Sequence, residues 1–285
     1  MSVDALPKAT SYGYGEASQA RMARKYRERA TNHWRERIGL AERLVDQYAA
    51  PRLAKPASES VLADIGCSVG TFALEFAKKG YRAYGVDFDP KAIEWANRLA
   101  AEEGVAPRFL CMDVAEWRAR NLPEIDVAIC FDIFEHLHDD ELGALLQGLR
   151  ASLSKSGALV FSTTPTQYSY LHVGGSWRLA VLRALLLPFT PLGERGFERA
   201  VRVIAALADI ALIALRARDH RELIKQEKHC NPLTRARLED IFRRAGYGFL
   251  TLGTLNLHGT GRGIRAAFLR HPILHTHIVG VAVPA

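Results

Sequence analysis

The sequence predicts an α/β protein: a doubly wound, mostly parallel seven-stranded sheet with an N-terminal helical segment and a helical insertion after the fifth strand. Three observations predict it. Short apolar runs without polar alternation recur between residues 61 and 165, as expected of parallel strands covered on both faces. Stretches of helical period separate them. A glycine-bearing turn joins the first run to the first helix, and an acidic residue closes the second run.

Residues 1–60 read as a helical arm and linker. Ile38, Ala41, Leu44, Val45 and Tyr48 recur at helical spacing opposite a face of arginines, so residues 20–49 form an amphipathic helix or helix pair. The stretch APRLAKPASES then links it to the first strand. Residues 61–165 hold the strands VLADIG, RAYGVDFD, PRFLCMDV, DVAICFDIF and ALVFSTTP. The helices GTFALEFAKKG, PKAIEWANRLAAEEG and DDELGALLQGLRASLSKSG lie between them.

In residues 166–228 the alternation stops, and the segment reads as a helical insertion serving as a substrate lid. Arg183, Pro188 and Asp209 interrupt its two apolar stretches, so a spanning helix, which needs about 18 uncharged residues, is not expected. Arg199, Arg202, Asp209 and Arg216 gather near one face. The wide apolar remainder must bury against the core, a second subunit, a lipophilic substrate or the bilayer interface. Residues 229–285 return to the sheet, with a helix in NPLTRARLEDIFRRAGY capped by Asn231 or Thr234, then the strands GFLTLGTLNLHG and THIVGVAVPA.

Composition narrows the class. The 285 residues, 48% hydrophobic and 24% charged, suit a soluble globular protein with one large core. Four cysteines without a CxxC pair argue against a disulfide framework or a zinc knuckle and point to reducing cytosol. The opening stretch MSVDALPKATSYGYGEASQ lacks the basic-then-apolar order of a secretory signal, so a cytoplasmic location is expected. Of the net charge of +7, none comes from residues 61–165, which are net acidic between basic flanks. An anionic substrate, an anionic membrane surface or simply solvated helix faces would account for that distribution.

The turn DIGCSVG carries Asp64, Gly66, Cys67 and Gly70, and Asp87 stands about twenty residues on, where a carboxylate can accept both hydroxyls of a ribose. A dinucleotide fingerprint would put glycine where Ser68 stands. An acidic group at the turn suits a cationic or amino-bearing ligand better than a diphosphate. Simpler readings remain beside this one: glycines that serve only the turn, Asp87 as a helix cap, and Asp113 as a cap of VAEW.

On VLADIGCSVG, GVDFD, CMDV, FDIFEHL and SKSGALVFSTTP the chain resembles the class I S-adenosylmethionine-dependent methyltransferases, over roughly residues 30–165 and 226–285. Within that Rossmann-like fold it resembles the small-molecule enzymes related to ubiquinone-biosynthesis O-methyltransferases. The resemblance implies S-adenosyl-L-methionine as cofactor and O-methylation of a small acceptor, a lipophilic one to judge from the insertion. It implies that Asp64 and Gly66 sit by the methionyl moiety, with Cys67 and Gly70 in the same turn. Asp87, with Phe88 beside it, would hold the ribose; Asp113, with Val114, would face the adenine; Phe131 and Asp132 would lie beside the sulfonium.

The strand that ends in ICFDIFEHLHDD then runs into the acceptor pocket. His136 is the expected general base, and Glu135 would orient it. Asp132, Glu135 and His136 also resemble the E-x-x-E-H metal site of certain methyltransferases, among them small-RNA ribose methyltransferases and some quinone-ring O-methyltransferases. His229 would complete it, and the quartet would suit a divalent ion, magnesium or zinc, that lowers the pKa of the acceptor's hydroxyl. Asp in the first position is a shorter arm than Glu and could miss the metal. A third reading makes EHLHDDE a polar loop before a helix capped by Asp139 or Asp140.

Two rival functions follow: a metal-dependent RNA ribose 2'-O-methyltransferase, and a non-catalytic cofactor-binding or partner subunit. The insertion lacks the aromatic and basic interleaving of an RNA-binding face, so a small-molecule acceptor is expected and a nucleic acid is not. Peripheral membrane contact through residues 178–218 is expected alongside. Tyr12 and Tyr14 could close over the cofactor; His172, His220, His258, His271, His275 and His277 show no ligand spacing; Trp34 and Trp177 read as packing residues.

Overall fold

The computed structural model describes residues 15–30, 33–169, 177–214, 229–257 and 264–285. Tyr12, Tyr14, His172, His220, His258 and residues 215–228 of the anticipated lid lie outside them. The strands are β1 (Val61–Ile65), β2 (Arg82–Asp87), β3 (Arg108–Cys111), β4 (Ile125–Phe131), β5 (Leu153–Thr163), β6 (Tyr247–Leu255) and β7 (His277–Pro284). The helices are α1 (Gly15–Arg27), α2 (His33–Leu44), α3 (Thr71–Lys78), α4 (Pro90–Glu103), α5 (Asp139–Ser152), α6 (Trp177–Leu186), α7 (Glu194–Ala214), α8 (Arg235–Arg244) and α9 (Ile264–Leu269).

The sheet runs β3-β2-β1-β4-β5-β7-β6, parallel from β3 to β5, with β7 antiparallel to both of its neighbours. Every residue of β1 and β4 is buried, which is why their sequences show no polar alternation. The two-residue period still divides them between two apolar layers. Val61, Ala63, Ile65, Ala128 and Cys130 join one layer with Trp117, Leu142, Leu146 and Phe242. Leu62, Val127, Ile129 and Phe131 join the other with Trp34, Ile38, Ala41, Phe72 and Phe76. The α6–α7 insertion has a small core of its own, in which Leu186, Phe197 and Val201 meet Phe268, Leu269 and Leu274.

Some boundaries differ from the sequence reading. The helix after the fourth strand ends at Ser152, and residues 153–157, read as its tail, extend β5 instead. The register shifts opposite Ile125 and Val127. Gly157 lies at that irregularity, where a Cβ would stand 2.8 Å from the Ile125 carbonyl oxygen. β4 stops at Phe131 rather than Phe134, because Asp132 turns left-handed at φ 56° and Phe134–His136 coil into a single 3-10 turn. Neither Asp139 nor Asp140 caps α5; Glu141 reaches back to accept the His138 backbone N–H at 3.0 Å. Thr234 caps α8 by accepting from Arg237 N at 3.2 Å, while Asn231 is engaged elsewhere.

Among the described residues no helix is long and apolar enough to cross a membrane. The topology fixes where a ligand goes. β1 is flanked by β2 and β4, and from it the chain proceeds outward in both directions, leaving a crevice at the carboxyl ends of β1 and β4.

Candidate active site

At the first side of that crevice, the turn after β1 folds through three left-handed residues, Gly66 (φ 66°), Ser68 (φ 47°) and Gly70 (φ 83°). A Cβ on Gly66 would stand 2.5 Å from Ile133 Cγ2, and one on Gly70 2.5 Å from the Phe109 ring, so both positions admit only glycine. Ser68 takes the same conformation with a side chain, at a cost of about 1–2 kcal/mol. The turn therefore keeps its shape despite the missing glycine.

Two carboxylates hold the turn. Asp64 is buried, and its Oδ2 accepts from Phe72 N at 3.2 Å and Ala73 N at 3.1 Å, amides of the first turn of α3. Burial pushes its carboxyl up to about 7 against the pull of those two donors. Asp87 accepts from Ser68 N through Oδ2 at 2.8 Å and from Asp89 N through Oδ1 at 2.9 Å. Burial raises its pKa as well. Each Asp87 oxygen retains a lone pair for a further donor, which is what a pair of ribose hydroxyls requires.

The remaining cofactor-side residues fall into two groups. Cys67 is buried and its N–H joins the Val86 carbonyl at 3.0 Å; Phe88 is partly exposed at the end of β2; Phe131 is buried with its ring 4.7 Å from that of Phe72. Asp113 lies past β3, exposed, where its Oδ1 caps a short 3-10 turn by accepting from Ala115 N at 2.9 Å. Val114 is buried in the same apolar layer as Trp117.

Just past β4, Asp132 Oδ2 pairs with Arg37 Nη1 of α2 at 2.6 Å, and its buried Oδ1 finds no hydrogen-bond partner among the described residues. The Arg37 guanidinium also lies over the Trp34 ring, 5.2 Å from its centroid. Glu135 is 1% exposed and accepts from Thr163 Oγ1 at 2.7 Å. Burial first, and the charge of Asp132 second, push its carboxyl well above the ordinary carboxylate range. The His136 and His229 rings stand 4.8 Å apart. Burial, then the nearby His136, pulls His229 down to about 3, so its imidazole is neutral at ordinary pH.

Backbone and side-chain bonds fix the His229 segment in place. Asn231 N donates to the Glu135 carbonyl at 2.9 Å, and Asn231 Nδ2 donates to Asp139 Oδ1 at 3.0 Å. Arg237 clamps the same aspartate at 2.8 Å. One ligand atom each of Glu135, His136 and His229 lies within 4.8 Å of the others. Asp132, the fourth residue of the anticipated quartet, does not join that group and is committed to Arg37 instead. Sequence reasoning missed Arg37, Gln19 and Thr163, each brought to the site by an element far from its partner in the chain.

A glycine turn and an acidic strand end at the switch point of a seven-stranded sheet mark a doubly wound α/β protein with a crevice suited to a nucleoside. Residues 32–252 match the methyltransferase domain family, and the chain belongs to that family. The ubiquinone biosynthesis O-methyltransferase of Escherichia fergusonii is 27% identical over 188 residues, 66% of this chain and 72% of that one. Its counterpart in Shigella boydii serotype 18 is 28% identical over 188 residues, with the same 66% and 72% coverage.

Two solved structures share the fold. An S-adenosylmethionine-dependent methyltransferase from Clostridium acetobutylicum superposes with a TM-score of 0.54 at 11% identity, covering 94% of this chain and 98% of that one. The plantazolicin methyltransferase BamL, in complex with a triazolic desmethylPZN analog and SAH, gives 0.53 at 15% identity, covering 95% and 91%. The protein is a class I S-adenosylmethionine-dependent methyltransferase, as the motifs implied.

Proposed function

We propose that the protein methylates an oxygen of a small, lipophilic acceptor, with Glu135, His136 and His229 forming the acceptor end of the site. The observation that carries this reading is the convergence of those three side chains just beyond the carboxyl end of β4. Bound S-adenosylmethionine supplies an electrophilic methyl group on a sulfonium. The glycine turn and Asp87 hold the nucleoside, and Phe131 and Asp132 border the reacting end. His136 takes the proton from the acceptor's hydroxyl, which a base within hydrogen-bond reach must do for oxygen to attack. Thr163 and the burial of Glu135 fix the carboxyl beside it.

A second reading concerns a metal. Two imidazoles, one of them held neutral, and one carboxyl group suit a divalent ion such as magnesium or zinc, and the close approach of their ligand atoms favours it. Such an ion would polarise the acceptor oxygen and ease loss of its proton. Glu135, His136 and His229 would hold it, and Asp132 would stay with Arg37.

The acceptor class is supported by the ubiquinone relatives and by the apolar insertion. Turnover is assayed with a phenolic acceptor. His136→Ala is expected to lower kcat by about 10²–10⁴-fold, and parent turnover in this variant would remove His136 as the base. Loss of activity on chelation, restored by magnesium or zinc, supports the metal reading; indifference to chelation, with no metal found in the purified protein, rejects it.

A further inference from the structure

We propose that Gln19 is a positioning residue for the methyl donor, fixing the two backbone amides that orient the Asp87 carboxylate. The inference rests on the assignment of Asp87 and the glycine turn to the donor nucleoside. Gln19 lies on α1 and is 2% exposed. Its Oε1 accepts from Ser68 Oγ at 3.0 Å, and its Nε2 donates to Asp89 Oδ2 at 3.0 Å. The two residues it grips are the same two whose backbone amides donate to Asp87, Ser68 N to Oδ2 and Asp89 N to Oδ1. One side-chain amide thus braces both walls of the ribose crevice.

Ser68 gives the brace its purpose. A serine at φ 47° is less stable there than glycine, and its neighbours must hold it. The hydroxyl that sets serine apart from glycine is the group Gln19 engages. Asp89 is held in turn by capping α4, where its Oδ1 accepts from Lys91 N at 2.9 Å.

The helix that delivers Gln19 is firmly seated. Ala23 and Tyr26 are buried against Val69, Leu74, Leu99 and Ala100. Tyr26 donates to Glu75 at 2.7 Å, and Glu16 accepts from the Trp95 indole at 2.9 Å. Packing alone would be met more cheaply by an apolar residue than by a buried amide satisfied at both ends. With both amides fixed, the unused lone pairs of Asp87 point in one direction before the donor arrives, which lowers the ordering cost of binding.

Gln19→Met keeps the volume and removes both polar ends. The KM for S-adenosylmethionine and the Kd of S-adenosylhomocysteine by calorimetry are each expected to rise about tenfold, while kcat at saturating donor changes much less. In a Ser68→Gly background the same substitution is expected to cost less, because one of its partners is already gone. Parent KM and Kd in Gln19→Met, or strictly additive effects of the two substitutions, would overturn the proposal.

Gln19→Glu serves if the methionine variant does not fold. It retains an acceptor for Ser68 but faces Asp89 with a like charge, so weaker donor binding is again expected, and parent affinity overturns the proposal. Asp87→Ala separates the two layers of the argument. If it binds S-adenosylhomocysteine like the parent, the donor-site assignment fails; if it loses binding while the Gln19 variants do not, the role of Gln19 alone fails.

Discussion

Burial beside His136 keeps His229 neutral down to about pH 3, whereas an ordinary histidine, as in the unfolded chain, takes up its proton near pH 6.5. Between those values the unfolded chain binds the extra proton, so this residue's contribution to stability falls as pH drops from about 6.5 toward 3. His229→Asn is expected to flatten that part of the profile in thermal unfolding followed across pH. An unchanged slope would mean that the imidazole is not held neutral. Asp64 acts in the opposite sense. Its carboxyl is raised from 3.8 to about 7, so its contribution is present below the lower value and is lost as pH rises through the higher one. The comparison must therefore be made against the parent at each pH.

Among the elements, the β1–α3 turn is tightly constrained. Gly70 precedes α3 at φ 83°, and a methyl group there would meet the Phe109 ring of β3 at 2.5 Å. Gly70→Ala is expected to destabilise the fold by about 1–3 kcal/mol in chemical denaturation and to weaken donor binding with it. Trimming Phe109 to alanine would relieve the clash but not the backbone strain, so only part of the loss should return. This turn was legible in the sequence because its chemistry is local: Asp64, Gly66, Gly70 and Asp87 lie within one strand-turn-helix-strand unit. The sheet was legible for the same reason, since buried parallel strands declare themselves as apolar runs.

What stayed hidden depends on distant chain segments. Nothing near Arg37 marks it as the partner of Asp132, and nothing near Gln19 points to Ser68; one reads only as an arginine on a polar helix face, the other as a surface glutamine. The left-handed turn at Asp132 was hidden too, because apolar Ile133 and Phe134 continue the pattern of a strand past its end. Asp132, paired with Arg37, stays outside the Glu135, His136 and His229 group although its charge still reaches Glu135, and motif spacing could not convey that pairing.

For the whole molecule, most of the large apolar side chains exposed among the described residues lie on the insertion. Its inner side closes a small core, while Leu185 (54% exposed), Val203 (55%) and Leu207 (61%) face outward. Arg199 and Arg202 share α7 with Val203 and Leu207, and Leu185 lies on the neighbouring α6. Apolar side chains on a helix that also carries arginines suit the surface of an anionic bilayer, and we propose that the insertion makes that contact. Leu185→Glu with Leu207→Glu is expected to abolish cosedimentation with phosphatidylserine vesicles while leaving turnover of a water-soluble acceptor at the parent level. A parent protein that ignores such vesicles would rule the contact out.

The place of β7 also bears on how the molecule assembles. β5 and β6 run the same way, and β7, synthesised after both, must slot between them. A nascent polypeptide that has emerged only through β6 has a bare edge on β5, and β6 is a ready but wrong neighbour for it. The half from β3 across to β5, which carries the glycine turn, can settle while the ribosome is still at work; the far flank has to wait for β7 to be inserted.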